Sequence, residues 1–150
     1  MDFSKEEIIG VCRKHLIDKQ NSYNQELIKI RESATNETKS SMGDKYETSR
    51  EMMRQEEAKM VSQLQLVNDQ ISSLERINPR HKSNKAEFGA VVETNVSIFF
   101  ISISLGKVDI LSQQAFVISP SAPLAKGLAG KGIGDEIAFN NLKYEIKAIQ

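Results

Sequence analysis

Apolar residues recur at three- and four-residue intervals through the first half of the chain, and at shorter, alternating intervals through the second. Met53, Met60, Leu64, Val67, Ile71 and Leu74 step by three and four in turn, with Glu57 filling one position of the seam. That is the heptad pattern of a helix pairing along one narrow stripe. Upstream, Ile9, Cys12, Leu16, Tyr23, Leu27, Ile30 and Ala34 make a looser stripe, interrupted by polar Gln20. No proline occurs between residues 4 and 77, and glycine only at Gly10 and Gly43. The intervening run Thr35 to Asp44 is polar and aperiodic, and predicts a turn. Two arms of similar length, about 4–34 and 45–77, should fold back as an antiparallel pair, each roughly 45 Å long.

Asn78-Pro79 ends the second arm, because proline disfavours a helical residue before it and cannot continue the ladder. The polar, basic run Arg80 to Lys85 predicts a linker. Strand signals follow in Phe88–Val92, Val96–Ile103, Lys107–Ile110 and Gln114–Ile118, rich in Val, Ile and Phe. Ser121-Ala122-Pro123-Leu124 opens a short helix, with Ser121 as its N-cap, Pro123 in its first turn and Gly130 at its end. Two last strands, Glu136–Phe139 and Leu142–Ile149, flank Asn140-Asn141, a pair suited to positive φ in a tight hairpin. The chain therefore reads as α+β. A helical hairpin spans 1–78 with its tip at about 35–47, a linker 79–86, and a β-rich domain 87–150.

Charge changes this picture little. Lys+Arg and Asp+Glu are both 20. Residues 1–78 hold 12 basic and 14 acidic side chains, and residues 79–150 hold 8 and 6. A protein gripping nucleic acid through phosphates would show a clearer basic excess. One cysteine, Cys12, excludes an intramolecular disulfide and falls on the apolar stripe, as core. His15 and His81 are isolated, which argues against zinc. There is no secretory leader pattern and no apolar run long enough for a membrane helix, so the expected location is cytoplasmic.

Ser121-Ala122-Pro123-Leu124-Ala125-Lys126-Gly127-Leu128-Ala129-Gly130-Lys131-Gly132-Ile133-Gly134-Asp135, with a later Tyr144-Glu145-Ile146, closely resembles the C-terminal signature of bacterial Gre transcript-cleavage factors. Gly127 stands where that family usually has alanine. Gly43-Asp44-Lys45-Tyr46-Glu47 has the form of the family's Gly-Asp-x-x-Glu tip motif, although Tyr46-Glu47-Thr48 replaces its Ser-Glu-Asn. The resemblance implies an antiparallel two-helix coiled coil and an FKBP-like antiparallel β domain with one short helix. It implies bacterial RNA polymerase as partner. The coiled coil would enter the polymerase secondary channel, near the RNA 3′ end. Its tip carboxylates would help hold a Mg²⁺ shared with the polymerase, which then cleaves backtracked RNA. The C-terminal domain would dock on the channel rim, with Ser121, Pro123, Leu124, Lys126, Lys131 and Asp135 as polymerase-binding residues. The chain would be a monomeric accessory factor with no catalytic residues of its own and no stably bound metal.

Asp44-x-x-Glu47 has two readings. One is a capping box, with Asp44 at N-cap and Glu47 at N3. The other is a pair of carboxylates one turn apart, able to face the same metal. Glu37 is a third candidate metal ligand, and is more simply a solvated turn residue. Two alternative functions stand beside the first. The altered tip fits a regulator or inhibitor that fills the channel without stimulating cleavage. An FKBP-like half alone would suggest a prolyl isomerase or chaperone, which needs an aromatic-lined pocket.

Overall fold

The computed structural model describes residues 1–38 and 43–150, and side chains outside 37–46. Two long helices, α1 (Lys5–Thr38) and α2 (Gly43–Glu75), precede the strands β1 (Val91–Thr94), β2 (Ile98–Ile101), β3 (Gly106–Ile110) and β4 (Gln113–Ile118). A short helix α3 (Pro123–Leu128) and the strands β5 (Glu136–Phe139) and β6 (Leu142–Ile149) complete the chain. The class is α+β. Among the described residues no helix is long and apolar enough to cross a membrane.

The chain divides into two compact units. One contains Met1–Lys14 and Gln70–Gln150; the other contains His15–Asp69. In the second unit the predicted stripe is the buried one. Leu16, Leu27, Ile30 and Val67 are buried, and Tyr23, Ala34, Met53, Met60 and Leu64 are half-buried. Gln20 donates from Nε2 to Asn68 Oδ1 at 2.8 Å, and Arg31 Nε lies 2.8 Å from Glu57 Oε1. Gln20 to Arg31 is eleven residues on α1, and Glu57 to Asn68 is eleven on α2. Equal steps in opposite directions fix an antiparallel register.

The helices intrude into the predicted turn. α1 continues to Thr38 and α2 begins at Gly43, so residues 35–38 and 43–44 of the predicted turn are helical, while 39–42 lie outside the described residues. Within this extension Thr35 Oγ1 donates back to the Arg31 carbonyl at 3.0 Å, so its hydroxyl is satisfied inside the helix.

In the first unit the strands form one six-stranded sheet of order β3-β4-β2-β1-β6-β5. It is mixed, where the resemblance implied an antiparallel one. β2 and β4 run parallel, Ile98 opposite Ala115 and Ile101 opposite Ile118. After β2 the chain skips one position, runs out as edge strand β3, and returns to insert β4 between β3 and β2. Ala90, Val92, Phe99, Ile101, Tyr144 and Ile146 pack with Ala125 and Leu128 of α3 into one core. Alternate residues, including Val91, Phe100, Val108 and Val117, are 2% exposed or less. Ile8, Ile9, Cys12 and Leu74, in the same unit, are 4% exposed or less. The sheet is thus buried on both faces, which is why β2 reads as a continuous apolar run. The N-terminus is tied in as well: its amino group lies 2.9 Å from Glu93 Oε2, and the Phe3 carbonyl accepts from Gln150 Nε2.

Local signals located β5, β6 and their turn to the residue. Asn140 and Asn141 have φ of 47° and 63°. The first strand begins later than predicted, at Val91 rather than Phe88. Gly89, at φ 87°, turns the chain where an added Cβ would meet Ile77 Cγ2 at 3.1 Å.

Candidate functional site

The predicted tip carboxylates fall at the ends of the two long helices. Glu37 lies in the last turn of α1, Asp44 and Glu47 in the first turns of α2. Glu47 is exposed. The side chains of Glu37 and Asp44 lie outside the described residues, as does the remainder of the tip, 39–42. Asp44 is the second residue of α2, which begins at Gly43, and the capping reading of its side chain lies outside the described residues. Carboxylates in a first turn are favoured by the partial positive charge of the helix N-terminus. Three residues apart on one helix, Asp44 and Glu47 share a face. Mg²⁺ in general takes one or two carboxylates and completes its shell with waters or phosphate oxygens. Among the described residues, no group of three or more His, Cys, Asp or Glu could hold a metal ion.

The signature residues 121–135 make a built structure. Pro123 opens α3, its fixed φ suiting the first turn. The N-cap is Ala122, not Ser121, and no side chain caps the helix. Ser121 turns instead to Ser119, Oγ to Oγ at 2.6 Å, which also accepts from the Ser121 amide. Leu124 is half-buried against the core that Ala125 and Leu128 enter, and Lys126 is exposed. Gly130, at φ 75°, stops the helix as predicted. The next residues pair with the segment after α2: the Ala86 amide donates to the Lys131 carbonyl and the Gly130 amide to the Ala86 carbonyl, both at 2.8 Å. Asp135 Oδ2 accepts from the Gly132 amide at 2.8 Å, closing the turn ahead of β5. The segment 79–86 is therefore partly packed, with Ser83 and Ala86 buried.

Of the six candidate contact residues, Ser121, Pro123, Lys126 and Asp135 are exposed, while Leu124 and Lys131 are half-buried. They cluster along one segment because the chain is continuous there. Lys126 is the one with a free-standing charge on α3. Asp135 already has a structural role. The aromatic side chains are largely committed to packing: Phe99 stacks on Phe116 and meets Tyr144 edge-on, each at 5.9 Å, and Phe100 is fully buried.

Two features went unpredicted. Ser4 and Glu7 form a reciprocal capping box at the start of α1: the Glu7 amide donates to Ser4 Oγ, and Glu7 Oε2 accepts from the Ser4 amide at 2.7 Å. These bonds hold the Glu7 carboxyl below the usual range. Its signal, Ser-x-x-Glu, was present in the sequence. Lys5 is buried, 4% exposed, beside the segment 79–83. No local pattern announces that.

No family model matches the chain, and no curated protein matches it. A solved structure of the transcription factor Gfh1 aligns over 93% of this chain and 93% of its own, at 19% identity and a TM-score of 0.38. Superposition at that level carries no inference about activity.

Proposed function

We propose that the chain is a transcription factor of the Gre type, which binds RNA polymerase and reaches its active site through the secondary channel with the paired helices α1 and α2. The observation that carries the reading is the register of that pair. Gln20–Asn68 and Arg31–Glu57 hold two helices of 34 and 33 residues antiparallel. That brings the Asp44 and Glu47 positions toward the end where the hairpin turns. The ordered signature from Ser121 to Asp135 supports the same reading from the other unit. Its exposed residues, Lys126 foremost, would contact the polymerase.

On this reading Asp44 and Glu47 lend carboxylate oxygens to a Mg²⁺ whose other ligands come from the polymerase, water and RNA. The metal would activate water for hydrolysis of the RNA 3′ segment. The chain itself orients and supplies negative charge; the bond-breaking machinery belongs to the polymerase, so the chain is an accessory factor and not an enzyme.

The test is transcript cleavage by stalled polymerase complexes. Asp44→Asn and Glu47→Gln keep shape and hydrogen-bonding capacity while removing charge. Cleavage should fall by about a hundredfold or more, the effect of losing one charge-stabilising group, with melting temperature unchanged. Unaltered cleavage in the double variant removes the metal role. A second reading has a specific motive in Tyr46-Glu47-Thr48: the same channel filled without cleavage. It predicts polymerase binding and inhibition of transcription, with no cleavage by the unmodified chain. The prolyl isomerase reading has less support, because Phe99, Phe100 and Tyr144 are spent inside the core.

A further inference from the structure

A cavity of about 650 Å³ opens beside the first turn of α1, against the segment that follows α2. Lys5, Arg80, His81, Lys82 and Ser83 are among its lining residues. Its volume is that of a small-molecule site.

Two of these side chains are buried with donors to spare. The Lys5 residue is 4% exposed, and its ammonium donates to the His81 carbonyl at 2.6 Å. An ammonium carries three N–H donors, and no carboxylate lies within ion-pair distance of this one among the described residues. Burial lowers its pKa, partly offset by the more distant charge of Glu87. Glu87 itself lies nearer His81, whose Nε2 is 3.5 Å from its Oε1. Ser83 is 8% exposed, and its hydroxyl is buried without a hydrogen-bond partner. Both arrangements cost stability unless an acceptor is supplied. Arg80 and Lys82, both exposed, add permanent positive charge at the rim. The α1 terminus is already served by the Ser4–Glu7 box, so the available donors are those of side chains.

We propose that this cavity binds the phosphate group of a small phosphorylated anion, with Lys5 and Ser83 as inner donors and Arg80 and Lys82 as rim cations. The shared chemistry is a compact, acceptor-only group with several oxygens, which this set of donors matches. Lys5, Arg80 and Lys82 outnumber the nearby carboxylate of Glu87, so the recess attracts such a group before contact, and the ligand then satisfies donors that the protein leaves open. The site is separate from the tip carboxylates and does not depend on any activity assigned to them.

The experiment is titration of the intact protein with inorganic phosphate, inorganic pyrophosphate and ADP at fixed ionic strength, followed by calorimetry and by ³¹P line shifts. Saturable one-to-one binding of pyrophosphate or ADP is expected, and tighter binding of ADP would identify a nucleotide rather than the free anion as the preferred source. Lys5→Met should abolish binding, and the Arg80→Ala/Lys82→Ala double variant should weaken it at least about tenfold. Thermal melts report whether each variant folds; if Lys5→Met does not, the double variant at exposed positions decides. No saturation by about 10 mM ligand, a range that corresponds to negligible affinity, overturns the proposal. So does equal binding by the folded variants, and so does binding of single-stranded RNA without binding of pyrophosphate.

Discussion

Gly127 shows how one residue can be poor for its element and right for its neighbours. It lies inside the six-residue helix α3, where glycine costs about 1 kcal/mol relative to alanine. A Cβ at that position would stand 3.3 Å from Ile137 Cδ1 on edge strand β5. The neighbour is the far end of a half-buried side chain, so it can give way. Gly127→Ala is expected to raise the melting temperature by about 1–3 °C, read by thermal denaturation; a drop would mean that α3 and β5 cannot separate. Cys12 makes the opposite case, a residue whose chemistry is silenced by position. Fully buried, its thiol is pushed up to about 12 from 9.0. In the folded protein it should resist a disulfide reagent at neutral pH and react only on unfolding. Above pH 9.0 the unfolded chain releases the thiol proton while the folded chain keeps it. Stability should therefore fall with rising pH from 9.0 towards about 12, by at most about 1.4 kcal/mol per pH unit from this group. Denaturant melts of Cys12→Ala should lack that part of the slope.

At the scale of elements, the polar break in the α1 stripe has a partner. Gln20 meets Asn68, a residue that the α2 heptads do not include. A polar layer of this kind fixes register at some cost in stability. Gln20→Leu and Asn68→Leu should each destabilise by about 1 kcal/mol, because each leaves the other amide without its bond. The double variant should recover most of the loss, giving a coupling of about 2 kcal/mol in urea denaturation. Additive losses would show that the bond contributes nothing. The heptads themselves were legible from the sequence because they follow from one period on one helix. The Asn140-Asn141 hairpin was legible because its turn chemistry is local. Neither kind of signal reaches across the sheet. The parallel pairing of β2 with β4 depends on which strand inserts beside which, and alternation within a strand is the same either way. The helix ends at Thr38 and Gly43 were missed because Ser, Thr and Asn favour turns only as a tendency. The burial of Lys5 depends on a segment more than seventy residues away, whose His81 carbonyl accepts a hydrogen bond from its ammonium.

On the scale of the molecule, apolar burial is divided unevenly. The unit built on the sheet carries core on both faces. The His15–Asp69 unit relies on one stripe, with Leu16, Leu27, Ile30 and Val67 its buried apolar members among the described residues. A narrow stripe suits a part whose proposed work lies at its end rather than along its sides. The candidate sites were legible to different depths for the same reason. The signature from Ser121 to Asp135 could be read as a string because its helix start, helix stop and turn are set by local residues such as Pro123 and Gly130. Its detailed duties, such as Asp135 closing a turn on Gly132, needed coordinates.

The matched eleven-residue steps between the two cross-helix pairs make the hairpin a ruler with graduations. Removing residues 21–27 together with 61–67 excises one heptad from each side and preserves both pairings, while drawing the tip back by about 10 Å. If the chain acts as proposed, such a shortened protein should melt cooperatively and still bind polymerase, yet fail to stimulate cleavage in the stalled-complex assay. Excising either heptad alone should misalign every rung beyond it and lower the melting temperature. Full activity in the evenly shortened protein would mean that distance is not what the hairpin measures.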